Sequence, residues 1–420
     1  MKEIDIVKKL QENGFEAYFV GGCVRDMILK KPPKDIDVVT SATPEEVSKI
    51  FETSFFVGES FGISLVSGVE VATFRTESSY DGRKPKSVHF SSSLEEDSNR
   101  RDFTFNALYF DPIKDKIIDL HYGIEDLETG TVRFIGKAED RIMEDHLRIL
   151  RAIRFASVYG FTLDEEAVSA IKENKHLLHS ISAERITAEI KKTGNKFHKF
   201  VELLYDLHVI DEIFPYASAL KNVPQDAVWH PEKDVWIHTL KVIKNLQTDD
   251  FVLNLAGLFH DFGKLTTTKN EDGKITSKGH EADSVMLALP ILKMLKVSNK
   301  ETEDILWLVE NHMKIKHFLE MKKSKRIALA KDERTVKLAE LSVADSMTEK
   351  ALEENTKIKD AVIELRKDEK TFVAPLVTGN DLIALGMKPG KVFKIILDDL
   401  FDKQINKGIT SKEELLEYVL

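Results

Sequence analysis

The chain has a single cysteine, Cys23, in 420 residues. No disulfide can form within it, and a zinc site built on several thiolates is excluded. Long apolar runs are also missing. No stretch approaches the roughly 18 consecutive apolar residues that a membrane-spanning helix needs. The opening segment, MKEIDIVKKLQENG, reads as an amphipathic helix without the apolar core of a signal peptide. An excess of positive charge is missing too. The formal net charge is −10 at pH 7, which excludes a uniformly basic nucleic-acid coat. A local basic groove would still suffice to hold a nucleic acid. With 42% hydrophobic residues the chain can bury real cores, and its length suits about two to four domains. A cytoplasmic protein with no membrane partner is the expectation.

What is there changes in texture along the chain. Up to about residue 135, short β-rich runs (AYFVGG, DIDVVT, GISLVSGVEVATFR, SVHFS, KIIDL) alternate with short helical patterns such as CVRDMILK and TPEEVSKIF. Thr43 and Glu46 have capping-box spacing, with Pro44 at the first helical position. After Lys137 helix follows helix, starting with EDRIMEDHLRILRAIRFASVYG. An α/β head followed by an all-helical body is predicted.

The chemistry of the head centres on acids beside glycines. Asp35 and Asp37 are two apart in KDIDVV, so on a strand they project from one face. Two carboxylates there repel each other unless a cation lies between them, and hard oxygen ligands suit Mg²⁺. Alone, such a pair is commonly solvated surface. Just upstream, however, a strand runs through Gly21-Gly22 into a helix. That layout lets backbone N–H groups approach phosphate oxygens. Glu70, on a later strand, is a candidate third acid or an ordinary surface residue. Further on, Arg100, Arg101, Asp102 and Asn106 suit triphosphate and ribose contacts.

GGCVRD, DID, RRDFTFNA, EDHLRILR and SAERITAEI stand in the order found in class II tRNA nucleotidyltransferases, the CCA-adding enzymes, which share their family with bacterial poly(A) polymerases. The chain resembles that family over most of its length. The resemblance implies a polymerase-β-like head with helical neck, body and tail. It implies Mg²⁺, CTP and ATP as metal and cosubstrates, and tRNA as acceptor. Gly21, Gly22, Arg25 and Asp26 would belong to the phosphate-binding motif. Asp35 and Asp37 would be catalytic and hold the metal, Glu70 remaining the candidate third catalytic acid. Asp145 and Arg148, read alone an i,i+3 ion pair on one helix face, would select the base. Arg151 and Arg154 would support the triphosphate or be solvated. Arg185 would stiffen the turn behind the selecting pair through Glu184 or Glu189. The stretch TESSYDGRKPKSVHFSSSLEED is expected to be a polar, mobile, basic loop. Enzymes of the family that add adenine retain such a loop.

A second constellation lies in the body: His238, His260-Asp261, His280, His312 and Asp345. Imidazoles with carboxylates suit a divalent transition metal. The order H…HD…H…H…D resembles the HD phosphohydrolases. It implies that His238, His260, Asp261 and Asp345 hold one metal, with His280 and His312 completing a second site or binding phosphate. The expected segments are 1–137 (head), 138–200 (neck), 201–370 (body, with the HD region at about 228–350) and 371–420 (tail). Lys314, Lys316, Lys322, Lys323, Lys325 and Arg326 form a candidate tRNA-binding patch or a solvated helix face. The reading is CCA addition to tRNA with a second, metal-dependent phosphohydrolase activity. The alternatives are a poly(A) polymerase or A-adding enzyme, an HD phosphohydrolase with an RNA-binding head, and a non-catalytic RNA chaperone.

Overall fold

The computed structural model describes residues 2–52, 54–56, 62–80, 85–226, 231–272, 274–367 and 374–419. They form two compact units, Met1–Pro215 and Tyr216–Leu420. The expected segments 1–137 and 138–200 fall inside the first unit and 371–420 inside the second, while 201–370 straddles their boundary.

The first unit is built on a seven-stranded sheet. Its strands in chain order are β1 (Ala17–Val20), β2 (Val38–Thr40), β3 (Ser54–Phe56), β4 (Ile63–Val66) and β5 (Val69–Thr73). After a separate hairpin, β6 (Arg75–Tyr80) and β7 (Pro85–Phe90), come β8 (Leu108–Asp111) and β9 (Lys116–Asp119). The spatial order is β3-β4-β5-β2-β1-β8-β9. All neighbours are antiparallel except β2 and β5, which run parallel with Val38 opposite Val71. Tyr18, Val20, Val39, Phe74 and Tyr109 make a buried cluster on the sheet. The capping box is formed: the Thr43 N–H donates to Glu46 Oε2 at 2.8 Å and the Glu46 N–H to Thr43 Oγ1 at 3.3 Å. Such a cap stabilises a helix by about 1 kcal/mol.

Four readings of the sequence need correction. Strands β3 and β8 were not signalled. The expected mobile loop, residues 76–97, is in its described part the β6–β7 hairpin, with Arg75 opposite Phe90 and Tyr80 opposite Pro85, followed by the start of the helix Leu94–Asn99. The remainder of that loop, residues 81–84, lies outside the described residues. EDRIMEDHLRILRAIRFASVYG is not one helix but two, Ala138–Glu144 and Arg148–Tyr159. Asp145 between them is extended (φ −143°), and its Oδ1 accepts the Leu147 N–H at 3.2 Å. An aspartate bonding to nearby backbone in this way competes with the helix. Finally, the region after Lys137 is not purely helical. Thr131–Val132 pairs in parallel with Thr162–Leu163, and Lys269–Glu271 forms a hairpin with Lys274–Thr276.

The second unit is otherwise helical. Helices Val235–Leu246, Phe251–Phe259, His280–Met294, Asn299–Asn311 and Arg334–Ala344 pack around apolar residues including Phe259, Phe262, Leu308 and Leu338, all fully buried. A smaller cluster of Val377, Leu382, Leu400, Ile409 and Leu415 closes the C-terminal part. Among the described residues, no helix is long and apolar enough to cross a membrane.

Candidate functional site

The first unit presents an open cleft of about 460 Å³ lined by residues of the expected head and neck. Strand β1 ends at Val20, and the chain turns through Gly21 at φ +73° into the helix Gly22–Ile28. That backbone conformation strains any residue with a Cβ. Both glycines, Arg25, Asp37, Arg100, Arg101, Asp102, Asn106, Asp145, Arg148 and Arg151 line the cleft. The sequence left out Arg75 and Phe155, which line it too.

Buried carboxylates hold the arginines in place. Asp97, absent from the sequence reading, is fully buried and accepts bonds from Arg100 Nη2 at 2.6 Å, Arg101 Nη2 at 3.0 Å and Tyr109 Oη at 2.9 Å. Burial opposes its ionisation, but Arg101 and Arg100 outweigh burial and keep the carboxyl below the usual range. Asp102 accepts from Arg151 Nε at 2.8 Å and Asn106 Nδ2 at 3.1 Å. Burial again opposes its charge, and Arg151 and Asn106 overcome it, holding Asp102 at about 2. Arg25 donates to Asn106 Oδ1 at 2.8 Å and to Asp26 Oδ1 at 3.0 Å. Asp26 also accepts from Tyr159 Oη at 3.1 Å, so it backs Arg25 rather than lining the cleft.

The candidate selecting pair is not an ion pair. Arg148 Nη1 donates to Glu144 Oε2 at 2.6 Å, and Nη2 donates to the Arg100 carbonyl at 3.0 Å. Asp145 accepts instead from Arg185 Nη2, at 2.7 Å and 3.0 Å. The break at Asp145 rotates the two side chains to separate partners, so they never share a helix face. Arg185 therefore reaches the aspartate directly, and Glu189 goes to Arg154 Nε at 2.5 Å and Lys192 Nζ at 2.8 Å. Arg154 is buried in that pair, neither solvated nor part of the cleft wall.

Asp35 and Asp37 precede β2 instead of lying in it, although the Asp37 carbonyl still accepts the Val20 N–H at 3.1 Å. The β2–β5 register sets Glu70 level with Asp37. Partial desolvation, then the charges of Glu70 and Asp35, push the Asp37 carboxyl up; Arg101 opposes them. The three acids thus share one field, though among the described residues their oxygens do not gather within 4.8 Å. A hard divalent cation would relieve that field, and an all-oxygen donor set fits Mg²⁺.

In the body, six side chains form two buried triads: His238, His260 and Asp345; and Asp261, His280 and His312. The grouping differs from the expected one, because Asp261 joins the second triad. It also bridges: its Oδ2 is 3.3 Å from His260 Nε2, and its Oδ1 is 3.2 Å from His280 Nε2. The imidazole Nε2 atoms face each other in pairs, His238–His260 at 3.3 Å and His280–His312 at 3.1 Å. Every Nδ1 is tethered. Those of His260, His280 and His312 meet the carbonyls of Gly257, Ser277 and Val309 at 2.8, 2.7 and 2.6 Å, and His238 meets Glu232 at 2.7 Å. A carbonyl can only accept, so those three Nδ1 atoms donate, leaving the Nε2 lone pairs for a ligand. Burial, then the neighbouring His260 ring, push His312 down to about 3, so it stays neutral.

Gly263 permits this packing. A Cβ there would lie 2.0 Å from the His280 carbonyl oxygen. Asp261 Oδ2 and Asp345 Oδ1 are buried without a well-directed hydrogen bond, although Lys264 Nζ is 2.6 Å from the former and His238 Nε2 2.9 Å from the latter. These acceptors beside the Nε2 lone pairs of His260, His280 and His312 fit a divalent transition metal. The basic patch is partly spent: Lys316 pairs with Asp345 at 2.7 Å and Lys322 with Asp402 at 3.0 Å.

Comparison with known proteins divides the chain in three. Residues 17–133 match the poly A polymerase head domain, 160–221 the probable RNA and SrmB-binding site of polymerase A, and 233–349 the HD domain. The CCA-adding enzyme of Ligilactobacillus salivarius is 48% identical over 193 residues, 45% of this chain and 48% of that one. That of Enterococcus faecalis is 49% identical over 192 residues, 44% of this chain and 47% of that one. The chain thus matches about half the length of these curated relatives. The structure of a Bacillus stearothermophilus CCA-adding enzyme in complex with CTP aligns with TM-score 0.73 and 26% identity, covering 99% of this chain and 97% of that one. A Thermotoga maritima CCA-adding enzyme complexed with tRNA shares the fold, with TM-score 0.62 and 19% identity over 100% and 94% of the chains.

Proposed function

We propose that this chain, joining a poly A polymerase head to an RNA-binding segment and an HD domain, adds CCA to the 3′ end of tRNA from CTP and ATP. The observation that carries the reading is the single cleft where Gly21, Gly22, Arg25, Asp37, Arg100, Arg101, Asp145 and Arg148 meet. In it the tRNA 3′-hydroxyl oxygen bonds to the α-phosphorus of the nucleotide, and pyrophosphate leaves.

The residues divide the work. Arg25, Arg100 and Arg101 are placed to hold the triphosphate, their guanidinium groups preset by Asp26 and Asp97. Arg151, fixed on Asp102, adds a further cation to the wall. Asp35, Asp37 and Glu70 would hold Mg²⁺, whose charge stabilises the leaving pyrophosphate and lowers the pKa of the attacking hydroxyl. Base choice follows from donor and acceptor order. Asp145 only accepts, and Arg148 only donates. Cytosine and adenine each offer an amino donor beside a ring-nitrogen acceptor, whereas uracil and guanine offer the inverse. A mismatched base leaves buried polar groups unpaired, which discriminates strongly. Arg185 holds the Asp145 carboxylate by both oxygens and so sets its position.

The test gives the purified protein tRNAs ending before CCA, after C and after CC, with each nucleotide alone. The expected pattern is C, C, then A. Repeated A addition would favour a poly(A) polymerase, and A on the CC end alone an A-adding enzyme. Asp145→Ala is expected to slow addition and to admit UTP and GTP; strict selectivity in that variant would remove Asp145 from base choice.

A second metal-dependent activity fits the body. Its buried imidazole and carboxylate set suits phosphoester hydrolysis, with a transition metal supplying an activated water. Opening of a 2′,3′-cyclic phosphate end to the 2′- or 3′-phosphomonoester, water adding across one P–O bond, lost on chelation and restored by Mn²⁺ or Ni²⁺, would support it.

A further inference from the structure

The body cluster contains two cations of its own. Lys264 Nζ lies 2.6 Å from Asp261 Oδ2, and Lys316 Nζ lies 2.7 Å from Asp345 Oδ2. The pairs are not equivalent. Lys264 is 9% exposed, and its ammonium also donates to Gln225 Oε1 at 2.6 Å. Lys316 is 30% exposed and belongs to the short 3₁₀ segment Lys314–Glu320. One is fixed in the core, and the other stands at its edge with a route to water.

Asp345 needs such a partner. It caps the C-terminus of helix Arg334–Ala344, where the partial negative charge of the helix end disfavours a carboxylate. It is also buried, and a buried charge without a counter-charge is costly. Its two oxygens face opposite ways: Oδ1 lies 2.9 Å from His238 Nε2 within the triad, and Oδ2 meets Lys316.

We propose that Lys316 is an intrinsic counter-ion that holds down the affinity of the His238–His260–Asp345 triad for a divalent cation. Without a metal, its ammonium neutralises Asp345 and stabilises the unit. With a metal at Oδ1, it is a positive charge one carboxylate away and competes for the same negative charge. The second triad, whose lysine is locked, keeps its counter-ion in either state. The proposal rests on the reading of this cluster as a metal site.

The test uses the full chain in an Asp35→Asn/Asp37→Asn/Glu70→Gln background, so that the head carboxylates contribute no binding. Metal-stripped protein is titrated calorimetrically with Mn²⁺, and its melting temperature is measured before and after. Lys316→Met is expected to bind Mn²⁺ at least tenfold more tightly and to melt at lower temperature when stripped. Lys316→Gln, which keeps a polar head, serves should the methionine variant not fold. Equal or weaker Mn²⁺ binding, or an unchanged stripped melting temperature, would overturn the role of Lys316. Failure of every form to bind Mn²⁺ would overturn the metal site itself, and this proposal with it.

Discussion

Asp102 shows how single residues set the cleft. Its value of about 2 lies below the ordinary 3.8, so its ionised form stabilises the fold fully above about pH 4. That stabilisation is lost as pH falls towards 2. Asp102→Asn should therefore cost on the order of 2 kcal/mol at pH 7. Urea unfolding at pH 7, 5, 4 and 3.5 should show the gap closing only in the last steps. A gap independent of pH would mean that the ion pair with Arg151 is not its source. At this scale the motif arginines and glycines were legible, because their types and order carry the chemistry. Asp97 and the Asp145–Arg185 pair were not. Each links residues whose nearness is made by tertiary folding, and a lone Asp in SLEEDSN has no pattern that marks it as buried.

At the scale of elements, local signals read well where one residue decides the geometry and poorly where partners compete. The Thr43–Glu46 cap was readable because all its atoms lie within one turn. The break at Asp145 was hidden inside an unbroken helical periodicity, since an extended aspartate needs Arg185, forty residues away, to hold it. Strand β8 was missed for a similar reason: LYFD is short, and its pairing with both β1 and β9 is what makes it a strand. Gly263 gives a direct test of close packing between elements. Gly263→Ala would set a methyl group against the His280 carbonyl and Ser284 nitrogen, contacts that only backbone movement can relieve. We expect the body to melt several degrees lower and to lose Mn²⁺ binding. Unchanged binding would show that the triads do not depend on this approach.

At the scale of the whole molecule, the acid field of the head and the triads of the body belong to different compact units, each with its own core. Their chemistries should therefore separate. Asp35→Asn/Asp37→Asn is expected to reduce nucleotide addition by at least a hundredfold while metal-dependent hydrolysis of cyclic phosphate ends continues. Loss of both activities together would argue that one site serves both. The α/β-then-helical division was legible from the pattern of apolar residues, because strand and helix periodicities differ. The boundary between units was less so: it falls in the turn at Pro215–Tyr216, between Ile210–Ile213 and Ser218–Leu220, where no composition change marks it.

Three of the four imidazoles in the two triads are anchored to a carbonyl three positions earlier in their own chain segment. Their aim is thus inherited from the path of the main chain and owes little to neighbouring side chains. Drift in the surrounding apolar residues would leave the rings pointing where they do now. Such a site can outlast large changes in the sequence that encloses it.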